Sequence, residues 1–204
     1  MKLLKAALFT TMLSCGAISA ANAELISNVP LDTSRFELMN ISSLTNMALQ
    51  TSTNATQQRA YNEAKFYLGR RYHKGNGVAQ NTQKAIEWYT LAANEDITPA
   101  QLNLGLMYAK GDGVAVNEQK ARYWLERAAK RSDNRASYAL ALIDEKQQKL
   151  VDAYKWYDLA TRDGMLNEQI RNKARGRIGR LALNLSSSDM ERARTQAESW
   201  FQTQ

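Results

Sequence analysis

Proline is nearly absent from the 204-residue chain, which has only Pro30 and Pro99. Little therefore breaks a helix along most of its length. There is one histidine, His73, and one cysteine, Cys15. A multi-histidine zinc site is excluded, and so is a disulfide within the chain. The two glycine pairs, Gly75-Asn76-Gly77 and Gly111-Asp112-Gly113, lack the third glycine and the Lys-Ser/Thr of a phosphate loop. Asp112 starts no acidic ladder, so a calcium loop is not expected either. No metal and no cofactor is implied, and no catalytic constellation is visible. Charge is unbalanced: 27 Lys and Arg face 20 Asp and Glu, a formal net charge of +7. With 44% hydrophobic residues the chain is long enough for a core of one domain's size.

Residues 1–23 read as a secretory signal peptide. Lys2 and Lys5 form a positive start, residues 6–12 are mostly apolar, and Ala21-Asn22-Ala23 is a cleavage site of the A-x-A kind. Cleavage after Ala23 would discard Cys15 and both lysines, leaving +5 and no cysteine. The competing reading, a lipoprotein signal at Met12-Leu13-Ser14-Cys15, departs from the usual pattern by lacking Leu three residues before the cysteine and Gly or Ala just before it. No other run is apolar enough to span a membrane. The expected product is soluble, and periplasmic or secreted.

Residues 24–60 are expected to form an N-terminal arm or cap. Ile26, Val29 and Leu31 suggest an extended start, and Ser34 a cap for a weak helix bearing Phe36, Met39, Leu44 and Met47. Gln50 to Gln58 reads as a polar loop. The segment could cover the first repeat or dock a partner.

A repeat dominates the rest. Ala100, Leu104, Gly105 and Tyr108 share one side of a helix. Gly111 and Gly113 turn the chain, because glycine readily takes the positive φ of a tight exit. Asn117 can cap a second helix carrying Ala121, Trp124, Leu125, Ala128 and Ala129. Thirty-six residues earlier stand Ala64, Leu68, Gly69, Tyr72, Gly75, Gly77, Asn81, Ala85, Trp88 and Ala92. A third copy has Ala136, Leu140 and Ala141, then Ala153, Trp156 and Ala160, with four corner residues and both glycines lost and Asp144 in the tyrosine's place. A fixed period of this length with two helices per unit predicts an all-α fold, an α-solenoid. The units are expected at residues 61–96, 97–132 and 133–164. Residues 165–204 are expected to form a capping hairpin. Its first helix would carry Ile170, Ala174, Ile178, Leu181 and Leu185. Its second, capped by Ser187 or Ser188, would bury Met190, Ala193, Ala197, Trp200 and Phe201.

On these residues the chain resembles the Sel1-like repeat family, relatives of the tetratricopeptide repeats. The pattern is A-x-x-x-L-G-x-x-Y-x-x-G-x-G-V, then N/D-x-x-K-A-x-x-W, then A-A. The resemblance covers about residues 61–164 and implies a right-handed solenoid that binds other proteins. Cysteine-rich exported relatives are linked to penicillin or cell-wall binding, but their paired cysteines are missing here.

Two surfaces are candidate sites. The first-helix positions two before and two after the leucine lie on one face, Phe66 and Arg70, Leu102 and Leu106, Tyr138 and Leu142, with His73 beside Arg70. The resemblance places this face on the concave side. It reads as an apolar groove with a basic end, open to a partner's segment or filled by the chain's own termini. The second surface is the cationic face Arg171, Lys173, Arg175, Arg177 and Arg180. The leading expectation is a periplasmic adaptor that binds another envelope protein. The alternatives are binding of an anionic envelope polymer or lipid through the cationic face and, with least support, a cell-wall or β-lactam-acting enzyme. Export argues against nucleic acid.

Overall fold

The computed structural model describes residues 33–162 and 166–200. The expectations for the signal peptide, Cys15, the extended start at Ile26 to Leu31, Met165 and Phe201 lie outside these residues. So does Ser34 as a capping side chain, although the helix there starts at Thr33. Ten helices, and no strand among the described residues, follow one another: α1 (Thr33–Leu38), α2 (Ile41–Ala48), α3 (Ala55–Lys74), α4 (Thr82–Asn94), α5 (Thr98–Lys110), α6 (Glu118–Lys130), α7 (Asn134–Lys146), α8 (Leu150–Thr161), α9 (Glu168–Ala182) and α10 (Ser187–Ser199).

The repeat corners explain the period. Gly75 and Gly111 end α3 and α5 at φ of 74° and 77°, and their amides bond back to Arg71 O and Met107 O. Asn81 and Asn117 then cap α4 and α6 by accepting from the amides of Lys84 and Lys120 at 2.9 and 2.8 Å. Lys84 and Lys120 also lie 5.3 Å over the rings of Tyr72 and Tyr108, fastening each corner alike. The turns between repeats use non-glycine residues at positive φ, Asp96 and Ser132.

From α2 to α9 each helix packs on the next, which is the logic of a solenoid. Within repeats one and two the helices touch through a glycine. A Cβ on Gly69 would stand 2.7 Å from the Tyr89 ring, and one on Gly105 2.6 Å from Leu125 Cγ. The buried residues form two cores. One runs from Phe36 to Trp124, the other from Leu102 to Ala197.

The N-terminal segment differs from its expectation. It forms two helices, because Asn40 stops α1 and caps α2 by accepting from Ser43 N. Gln50 to Gln58 is not all loop. Asn54 caps α3 through Gln57 N, and the pairs Gln58–Asn62 and Arg59–Glu63, one turn apart, carry the helix back to Ala55. The last helix is capped by Ser186, one residue before the expected serines. Its Ala193 and Ala197 are buried, while Met190 and Trp200 are half-buried.

The C-terminal pair departs from the other repeats. Helix α9 carries Ala174, Ile178 and Gly179 in the A-x-x-x-L-G register, yet a Cβ on Gly176 or Gly179 would meet nothing within 4 Å. Both α9 and α10 pack on α8. The Trp200 ring meets Trp156 edge-on at 4.7 Å and closes that end of the second core.

Candidate functional site

The six groove positions do not share one depth. Phe66 and Leu102 are 6% and 5% exposed, the first against Tyr67 and Tyr89 and the second in the core with Leu125. They support the wall rather than project from it. Leu106 and Tyr138 are half-buried, and Leu142 is 39% exposed. The apolar row therefore opens from repeat one towards repeat three. It ends at a depression of about 310 Å³ lined by Leu142, Glu145, Lys146, Gln148 and Arg177.

At the other end the row is covered. Phe36 of α1 stacks on Tyr67 at 4.9 Å. Arg70 lies over the rings of Tyr67 and Phe66 and donates to Glu37 Oε1 at 3.1 Å. His73 Nε2 lies 3.0 Å from Asp112 Oδ2, joining the end of α3 to the corner of repeat two. The basic end of the groove is thus held by contacts within the chain.

The cationic face on α9 is largely paired. Arg171 and Arg175 meet Glu168 at 3.4 and 3.1 Å, and Arg177 meets Glu145 of α7 at 2.6 Å. Lys173 and Arg180 are exposed, and no ion pair engages them among the described residues.

Two carboxylates tie neighbouring units together, and neither stood out in the sequence. Glu145 accepts from Tyr157 Oη and Arg177 Nη1, both at 2.6 Å, so three helices meet on it. Burial works against its charge, but those two donors outweigh it and hold the carboxyl below the usual range. Burial first, and that carboxylate second, push the Tyr157 hydroxyl far above its ordinary value. Asp96 accepts from Gln101, Arg127 and Arg131 at the turn between repeats one and two. It too is held low, its modest burial being outweighed first by the Arg127 hydrogen bond.

Sequence reading also missed Arg71 and Lys74. With Glu37, Tyr67, Arg70 and Asn76 they line a cavity of about 320 Å³ between α1 and α3. The signal was present as a run of cations closing α3, but such a run also suits a helix C-terminus. Among the described residues no group of three or more His, Cys, Asp or Glu side chains could hold a metal ion, and no helix is long and apolar enough to cross a membrane.

Comparison with known proteins follows the same architecture. The Sel1 repeat model matches residues 62–96, 98–133 and 144–165. The third match begins at Asp144, so it omits nearly all of α7. A crystal structure of a Sel1 repeat protein from Oxalobacter formigenes is 34% identical, over 69% of this chain and 97% of that one, with a TM-score of 0.53. A protective antigen of uropathogenic Escherichia coli, described as displaying an SLR fold, is 20% identical, over 81% of this chain and 46% of that one, with a TM-score of 0.49. None of the curated proteins matches. With three stretches matched by the repeat model and a 34% identical relative covered over 97% of its length, the chain belongs to the Sel1 repeat family.

Proposed function

We propose that the chain is an exported adaptor that holds a segment of another cell-envelope protein along the first helices of its repeats. Repeats of this family generally mediate protein–protein contacts, and the proteins are typically scaffolds rather than enzymes. The observation that carries the reading is the gradient of exposure along equivalent positions. Leu106, Tyr138 and Leu142 keep apolar surface open on adjacent first helices, where Phe66 and Leu102 are closed. An open apolar row on a rigid frame suits a helix or extended segment with matching apolar side chains. Export rests on the N-terminal leader pattern Lys2, Lys5 and Ala21-Asn22-Ala23.

The test is photo-crosslinking in intact cells with a photoreactive residue at Leu142 or Leu106. One envelope protein is expected as the product, and it is lost when Leu142→Glu is introduced with the photoreactive residue at 106. Crosslinks confined to the chain itself would mean that the row is self-occupied and would end the adaptor reading. Residues 1–23 fused to a reporter test export separately.

A further inference from the structure

We infer that the cavity between α1 and α3 is a seat for an acidic side chain of a protein partner, held by Arg70, Arg71 and Lys74 and occupied in its absence by Glu37. Three cations and one carboxylate line a space of about 320 Å³. The Arg71 guanidinium is fixed before any ligand arrives. Its Nη2 donates to the carbonyls of Glu37 and Met39 at 2.6 and 2.9 Å, where α1 ends. Carbonyls orient the group but do not cancel its charge. Arg70 is fixed by the Tyr67 and Phe66 rings and by one oxygen of the half-exposed Glu37. Lys74 is exposed, and no ion pair engages it among the described residues. Even after Glu37 and the roughly half negative charge at the end of α3, the site keeps more than one positive charge.

That excess selects an anion, and flat guanidinium groups match the two oxygens of a carboxylate. Glu37 shows that a carboxylate fits against Arg70. Arg70 also occupies the repeat-one position equivalent to Leu106 and Leu142, 36 and 72 residues on. A segment lying on the apolar row therefore reaches this seat by continuing along the same register. The inference rests on the groove reading for the identity of the ligand as a protein segment, but not for the anion seat itself.

The probe is a fluorescein-labelled tetraglutamate peptide, titrated by anisotropy into the full-length chain at low salt. Arg70→Gln is expected to weaken binding about tenfold and Lys74→Gln about threefold, the loss of one charge-assisted contact each. Glu37→Gln is expected to tighten binding about threefold to tenfold, because the resident competitor is removed. Lys149→Gln, an exposed lysine just before α8, is the control for net charge and should change nothing. Circular dichroism checks that each variant keeps its helices. Equal weakening by Lys149→Gln and Lys74→Gln would reduce the effect to net charge and overturn the seat. So would unchanged or weaker binding in Glu37→Gln. Displacement of the peptide by equimolar inorganic phosphate, or tighter capture by phosphatidylglycerol vesicles than by peptide, would make the site a phosphate or lipid site and overturn it as a peptide seat. If crosslinking at Leu142 fails while Arg70→Gln and Glu37→Gln act as expected, the groove falls and the seat stands. The reverse pattern removes the seat alone.

Discussion

Arg122 on α6 donates to both carboxylate oxygens of Asp144 on α7, although Asp144 is only 1% exposed. Shifted back by 36, the same two positions are Ile86 and Tyr108, both packed in the first core. A charged pair has thus replaced an apolar pair at an equivalent interface between repeats. A buried carboxylate is tolerated only when it is paired, so each change requires the other.

The first prediction follows from that exchange. Asp144→Tyr alone leaves Arg122 against an aromatic ring, and Arg122→Ile alone leaves a buried carboxylate unpaired. Each should cost about 2–3 kcal/mol, below the full figure for a buried pair because Arg122 is partly exposed. The double variant restores the pattern of the preceding interface and should recover about 1–3 kcal/mol relative to the sum. Urea unfolding of the four proteins measures the coupling, and simple additivity would show that the pair was not exchanged as a unit.

Two glycine-to-alanine changes should act in opposite directions. Gly105→Ala places a Cβ 2.6 Å from Leu125 Cγ and 3.2 Å from Ala121 O, so the helices must separate, at a cost of about 1–3 kcal/mol. Gly176→Ala meets nothing within 4 Å in the middle of α9 and should stabilise by about 0.5–1 kcal/mol through helix propensity. Thermal melting distinguishes them by sign.

The depth gradient along the groove predicts separable effects on folding and capture. Leu102→Ala should destabilise by about 2–4 kcal/mol through a cavity, while Leu142→Ala should stay within about 0.5 kcal/mol. Comparable losses in a denaturant series would contradict the difference in burial.

Acid should weaken the fold through Glu145 and Asp96. Both carboxyls are held below their ordinary values in the folded chain. Their contribution is therefore complete above the unfolded carboxylate range near pH 4. It is lost as pH falls through the lower folded values, where the folded state must also take up the proton. Glu145→Gln should lower stability at pH 7 and converge with the parent as the pH falls through the lowered folded value of Glu145. A gap between the two that stays constant from pH 7 to pH 3 would remove the Glu145 linkage.

The fold was legible because its determinants are local and repeated. Gly75 and Gly111 announce left-handed corners, Asn81 and Asn117 announce caps, and the small residues mark where helices touch. What the period could not convey was the contribution of partners distant in sequence. Phe66 and Leu102 sit at the right angle for a groove, but how deeply neighbouring helices bury them depends on packing that no single helix reveals. Arg177 reads as part of a cationic face until Glu145, 32 residues earlier, is brought against it. The start of α3 was obscured because polar residues hold it through side-chain pairs rather than an apolar stripe.

The two cores meet inside repeat two. Helix α5 gives Leu104 and Met107 to the first core and Leu102 to the second, while α6 divides Trp124 from its neighbour Leu125. Neither half has a wall of its own on that side. If α5 and α6 melt, both cores open at once, whereas fraying at either terminus exposes only one. Amide exchange should accordingly be slowest in this middle layer and quicken towards both ends. Repeat two is thus the source of cooperativity in an array whose contacts are otherwise nearest-neighbour.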